Sequence, residues 1–258
     1  MNFTLITGAS SGLGKEFAKI YASHGSNLIL VDINVAGLTK CKEEILSINK
    51  ELVVVTLKCD LSKIEEVKKL TTKLDTNDIF VNNLINAAGF GDREDFKEMD
   101  IDKQINMTNL NCNALLYLTK FFLKNMLSNN EGHIINIASI AAFMPGPYMC
   151  TYHATKAYVL LLGEAISYEL KDTNIKLLTL CPGPFNSNFV KLAHNDYTFK
   201  KIKPVEASKV AEIGYKKSMK GKSLYIVGFK NRFTCFITRF APRKLVTKIS
   251  AKTMKKGV

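Results

Sequence analysis

The chain has 258 residues, of which 47% are hydrophobic and 23% charged, and its formal net charge is +13. That mix excludes a disordered or fibrous chain and leaves enough apolar material for a buried core. No stretch approaches the roughly 18 apolar residues of a membrane-crossing helix.

In chain order, FTLIT (3–7) reads as a short buried strand that runs into a glycine turn, GASSGLG (8–14). Residues 14–24 carry Phe17, Ala18, Ile20 and Tyr21 at helical spacing, and Gly25 ends that helix. NLILVD (27–32) predicts a second strand, and 35–49 a second helix. LVVVTLKCD (52–60) predicts a third strand. Residues 62–74 predict an amphipathic helix that Ser62 and Glu65 would open as a capping box. IFVNNLINAAG (79–89) is a fourth strand ending in a glycine turn, followed by a long helical region over 101–127. HIINIAS (133–139), a helix over 151–171 and IKLLTLCPG (175–183) complete the alternation.

These strands are near-continuous apolar runs, as in parallel strands buried on both faces. With right-handed crossovers they predict an α/β fold: a Rossmann-type doubly wound parallel β-sheet of about seven strands, with helices on both faces. Cysteine is used singly in apolar runs, without CxxC pairs or zinc spacing to histidine. A reducing, cytoplasmic setting and no metal site are expected. Met1 leads straight into the first strand without a leader-like segment.

The charge is uneven. Thirteen lysines and arginines follow Glu212 with no acid among them, whereas bases and acids balance before it. We read residues 1–228 as one domain and 229–258 as a basic amphipathic extension. Phe229, Phe233, Phe236, Ile237 and Phe240 form a helical stripe, Pro242 breaks it, and Leu245, Val246 and Ile249 begin another. Two readings stay open: docking on the body or on a sister subunit, or peripheral contact with an anionic membrane. No base-reading motif is present, so nucleic acid is not expected as a partner.

The turn Thr7-Gly-Ala-Ser-Ser-Gly-Leu-Gly14 lies between a strand and a helix, the context a pyrophosphate needs: close backbone approach and free N–H groups at a helix start. An ordinary tight turn is the plain alternative. Asp32 closes the second strand, where a carboxylate can accept ribose hydroxyls and repel a 2′-phosphate; a simple helix cap is its bland reading. Ile33 and Asn34 follow instead of a base, although Lys15 could attract a phosphate. NAD is favoured over NADP.

Tyr152 and Lys156, in TYHATKAY (151–158), sit one turn apart on a helix face. An ammonium beside a phenol favours the phenolate and lowers its pKa toward a useful range. A lone YxxxK carries little information. Here it follows TGxxxGxG, Asn86-Ala-Ala-Gly89, Asn111 and Ser139 in order. Over about residues 3–220 the chain resembles the short-chain dehydrogenase/reductase family, in its single-domain branch.

The resemblance implies the following roles. Tyr152 is the acid/base, Lys156 lowers its pKa and holds the nicotinamide ribose, Ser139 binds the substrate oxygen, and Asn111 holds a water in a proton relay near Lys156. Gly8, Ser10, Ser11, Gly12, Leu13 and Gly14 would cradle the dinucleotide phosphates, and Asp32 the ribose. Asp60 and Leu61 would contact adenine. Asn86, Ala87, Ala88 and Gly89 would line the adenine-ribose floor, and Pro182, Gly183 and Ser187 the nicotinamide side. Asn109 and Asn113 flank Asn111 and could replace it after a slip of two.

The family also implies a homodimer or homotetramer, through the helices at 101–127 and 151–171, and substrate contacts from Phe90–Phe96, Ile140–Cys150 and Phe185–Lys203. Those loops are rich in Phe, Met and Tyr, so an apolar alcohol or ketone is expected; mutual packing of the loops is the alternative. His153 reads as a packing or solvent residue and His194, in the loop after the sixth strand, as a lid residue. The expected activity is hydride exchange between NAD(H) and a secondary alcohol or ketone. An NADPH-dependent 3-oxoacyl-type ketoreductase is the alternative enzyme, and a non-catalytic dinucleotide-binding protein the alternative of another class.

Overall fold

The computed structural model describes residues 2–186 and 204–254. A seven-stranded sheet runs through it. Its strands are β1 (Asn2–Thr7), β2 (Asn27–Asp32), β3 (Val54–Lys58), β4 (Phe80–Asn86), β5 (Gly132–Ile137), β6 (Ile175–Cys181) and β9 (Leu224–Ile226). They stand in the order β3-β2-β1-β4-β5-β6-β9, and every neighbouring pair is parallel. Two short strands, β7 (Phe185–Asn186) and β8 (Val205–Glu206), pair separately. This is the doubly wound sheet expected from the apolar strand runs.

Helices cover both faces. On one, α1 (Gly12–Ser23), α2 (Val35–Ile48) and α7 (Ala207–Met219) bury Phe17, Tyr21, Leu38, Ile45 and Val210 against the strands. On the other, α3 (Ile64–Asp75) and α5 (Leu115–Asn129) bury Val67, Leu70, Phe122 and Met126. The helix α6 (Cys150–Glu169) packs Val159 and Leu160 beside Cys181. It approaches β6 so closely that a Cβ on Gly163 would lie 2.0 Å from Thr179 Oγ1.

One local reading needs correction. The first turn of α3 is not capped by Ser62. The carboxylate of Asp60 captures both the Ser62 amide (3.1 Å) and hydroxyl (2.7 Å), so the helix starts at Ile64 after Lys63. Glu66, not Glu65, reaches back, accepting from the Asp60 amide at 2.8 Å. The region at 101–127 is helical throughout, as expected, but carries one irregularity. α4 (Ile101–Thr108) passes through a π turn at Asn109–Ala114 into α5.

At the C-terminal end, α8 (Phe229–Ile237) and α9 (Arg243–Met254) are separated by the turn that holds Pro242. Among the described residues, no helix is long and apolar enough to cross a membrane.

Candidate active site

At the carboxyl ends of β1 and β4, where the strand order reverses, a cavity of about 490 Å³ opens. Gly8 leaves β1 with φ +68°, and a Cβ there would meet Ala88 Cα at 2.9 Å. A Cβ on Gly14 would lie 2.3 Å from the Gly8 carbonyl oxygen, a backbone atom with no room to retreat. The start of α1 is therefore bare backbone against the cavity. Its N-cap, Ser11, makes no side-chain cap bond, and no acid sits in the first turn. The positive end of the helix is left for an anion.

Thr7 holds this turn to the next one. Its hydroxyl donates to the Ile85 carbonyl (3.3 Å) and accepts from the amides of Ala87 and Ala88 (3.0 Å each). Ser10, Ser11, Gly12, Leu13, Asp60 and Leu61 all reach the cavity wall, as do Ala87 to Gly89. Asn86 does not. Its amide turns inward, donating to Thr119 (3.1 Å) and Asn136 (2.9 Å), so it ties β4 to its neighbours and lines no floor.

Asp32 accepts the Ser10 amide on one carboxylate oxygen and the Asn34 amide on the other, each at 3.0 Å. Both oxygens keep a lone pair for a ribose hydroxyl. Lys15, a candidate phosphate ligand by position, is held by Glu44 at 2.7 Å.

Beyond the glycine turn the same cavity is lined by Ser139, Tyr152 and Lys156. Ser139 follows β5, and its Oγ accepts from the Ala141 amide (3.1 Å), which leaves the hydroxyl proton free to point at the Tyr152 phenol. Lys156 is buried, donates to the Ile137 carbonyl at 2.8 Å and lies 5.8 Å from the centre of the Tyr152 ring.

The acidity expected of this pair is reversed in the protein itself. Burial pushes the Tyr152 phenol up to about 12, although the Ser139 bond pulls the other way. Burial also brings the Lys156 ammonium down to about 8. Desolvation penalises both charged forms and is the largest cause of each shift.

Asn111, expected in a proton relay beside Lys156, stands behind the cavity wall. Its Oδ1 accepts from the Phe90 amide (3.2 Å), and its Nδ2 donates to the Phe90 carbonyl (3.0 Å) and to Thr155 Oγ1 (3.1 Å). It is buried, whereas Asn109 and Asn113 bond to each other at 2.9 Å on the exposed side. The π turn sets that register.

The substrate loops contribute unequally. Met144, Met149 and His153 line the cavity, while nothing from 90–96 does. His153 is buried, not solvated. Its Nδ1 meets the Met144 carbonyl at 2.9 Å, which makes that nitrogen the donor, and burial lowers its pKa. Ser187, His194 and most of Phe185–Lys203 lie outside the described residues; Phe185 itself lines the cavity.

Two participants had no sequence signal. Arg93, in the loop after β4, donates through Nε (2.7 Å) and Nη2 to the Met254 carbonyl. Met254, at the end of α9, forms part of the cavity wall. Thr155, which meets Asn111, was readable only as the residue three after Tyr152, whose carbonyl it bonds at 2.8 Å.

With this geometry, comparison with known proteins is decisive for the family. The short chain dehydrogenase model matches residues 2–198. The chain belongs to the short-chain dehydrogenase family. An uncharacterised oxidoreductase of Staphylococcus saprophyticus is 32% identical over 179 residues, which cover 69% of this chain and 76% of that one.

Among solved structures, a short-chain dehydrogenase from Sphingobium yanoikuyae in complex with NADPH superposes with TM-score 0.84 at 24% identity, over 93% of this chain and 94% of that one. A family member from Burkholderia phymatum in complex with NAD gives 0.84 at 22% identity, over 94% and 96%. Both structures share the fold described above. A dinucleotide fits the residues present, because the glycine cradle, the open helix start and the Asp32 carboxylate share one wall with Tyr152 and Lys156.

Proposed function

We propose that this short-chain dehydrogenase interconverts a secondary alcohol and a ketone, with NAD as its cofactor and Tyr152 as the acid/base. One observation carries the reading: a single cavity is lined both by the glycine turn with Asp32 and by Ser139, Tyr152 and Lys156.

When bound, the dinucleotide supplies the two-electron acceptor or donor at its nicotinamide ring. The chain's residues do the rest. The cradle from Gly8 to Gly14 holds the phosphates on the α1 N-terminus. Asp32 takes the ribose hydroxyls, and Lys15, the base nearest in sequence to the glycine turn, is already paired with Glu44, which supports NAD over NADP. Asp60, Leu61, Ala87, Ala88 and Gly89 form the adenine-side wall, and Pro182 with Gly183 the nicotinamide side. Lys156 holds the nicotinamide ribose.

Ser139 donates to the substrate oxygen. Tyr152, protonated at neutral pH, gives its phenol proton to that oxygen during reduction and takes it back in the reverse sense. Lys156 favours the phenolate left behind. Asn111 holds a water in a proton relay near Lys156, and its side chain also ties the Phe90 backbone to Thr155 and so to α6.

Met144, Met149 and Phe185 make an apolar substrate wall, which suits a bulky, weakly polar ketone. We read residues 1–228 as the catalytic domain and 229–258 as its extension. Leu116 on α5 and Leu161 and Tyr168 on α6 are exposed, which supports a homo-oligomer paired through those helices. Six free cysteines fit a reducing compartment.

The test is consumption of NADH, and of NADPH in parallel, with a panel of ketosteroids, β-ketoacyl esters and small diketones, alongside Tyr152→Phe. NADH-dependent turnover that falls about 10²–10⁴-fold in the variant is expected. Turnover that survives the substitution would remove Tyr152 from the chemistry.

A further inference from the structure

We propose that the outer face of α8 and α9 is a docking surface for a bilayer that carries anionic headgroups. Phe229, Phe233, Phe236 and Phe240 follow at steps of four, three and four, so they share one side of α8 and of the turn that continues it. They are 77%, 59%, 57% and 73% exposed, and Ile237 beside them is exposed as well. Cys235, on the opposite side, is buried against the body. The aromatic row is therefore not the packing face of the helix; α8 already has one.

Helix α9 repeats the pattern with charge. Lys244, Lys248 and Lys252, at steps of four, are exposed on the side away from the buried Ser250, with exposed Leu245 and Ile249 next to them. Arg232 lies over the Phe229 ring, 5.9 Å from its centre, which places a guanidinium at the edge of the aromatic row. Four phenylalanines open to water on one short stretch are more than scattered surface apolar residues.

Charge decides the occupant. No acid follows Glu212 in the sequence. A second copy joined face to face about a two-fold would bring one cationic surface against another. A bilayer with anionic headgroups meets the lysines with opposite charge and takes the phenyl rings into its interfacial zone. The surface does not depend on the catalytic reading, since vesicle binding needs no turnover. It does adjoin the site, because α9 ends at Met254 in the cavity wall.

The test is sedimentation of the full chain with vesicles of phosphatidylcholine alone or mixed with phosphatidylserine, at low and high salt. Light scattering would report the oligomeric state and thermal melting the folding of each variant. The full chain is expected to pellet with the phosphatidylserine vesicles, and less so at high salt. Lys244→Gln with Lys248→Gln should lower partitioning by about tenfold or more. Phe233→Ser with Phe240→Ser should release the protein without changing its melting temperature or its oligomeric state. Failure of the full chain to pellet would overturn the proposal. So would phenylalanine variants that still pellet but dissociate an oligomer, which would assign the face to a second copy.

Discussion

Lys156 Nζ lies 5.8 Å from the centre of the Tyr152 ring and is anchored on the Ile137 carbonyl at 2.8 Å. The anchor fixes the ammonium beside the phenol, with no acidic partner among the described residues. Burial brings Lys156 down to about 8, so its charge disappears as pH rises through that value. The phenolate then loses its support. Ketone reduction should therefore decline above about pH 8 in a kcat profile at saturating cofactor. Lys156→Met should be slow at every pH and lack that decline.

The same shift has a stability consequence. An unfolded chain keeps this lysine charged up to its ordinary value of 10.5, whereas the folded one releases the proton near 8. Between those values the unfolded state binds more protons, so folding stability rises with pH across the window. The penalty for burying the charge is complete below about 8 and absent above 10.5. Thermal melts of wild type and Lys156→Met should show the difference between them moving in favour of the wild type over that range. A constant difference would mean the lysine titrates normally.

Asp32 predicts cofactor choice. Placing a 2′-phosphate against its carboxylate brings like charges together, at a cost of several kcal/mol. NADH should be preferred over NADPH on the order of a hundredfold in kcat/KM. Asp32→Ser should narrow that ratio mainly by improving NADPH. The Ser10 and Asn34 amides that Asp32 now engages can bond to the smaller hydroxyl or to water.

Arg93 predicts a substrate effect without a catalytic one. Its two donors on the Met254 carbonyl hold the end of α9 in the cavity wall. A bond from a charged donor is worth about 1.5–3 kcal/mol. Arg93→Ala should raise KM for bulky ketones by about tenfold while leaving kcat for a small diketone nearly unchanged. Arg93→Lys should not restore the wild type, because one ammonium cannot supply the paired geometry.

Much of the scaffold was legible because a parallel strand buried on both faces writes itself as an apolar run, as NLILVD and HIINIAS do. Their alternation with helices pointed to parallel pairing, while the order of the strands came only from the structure. Features that depend on competition or on distance were not legible. Ser62 looks like a cap until Asp60, two residues earlier, takes its hydroxyl. Asn86 belongs to a motif that faces the cavity, yet its amide turns inward because Thr119 and Asn136 offer buried partners. Arg93 and Met254 are 161 residues apart, so no local pattern could join them. The titration of Tyr152 and Lys156 depends on burial, which spacing does not encode.

The π turn at Asn109–Ala114 has a consequence for what can be altered in this protein. Such a turn is a helix carrying one residue too many. Removing any single residue there would restore a regular helix and swing the flanking side chains by about 100° relative to one another. Asn111 could no longer meet both Phe90 and Thr155. The count of residues between Thr108 and Leu115 is thus as much a part of the site as their chemistry. A deletion could disarm the enzyme while leaving Ser139, Tyr152 and Lys156 intact.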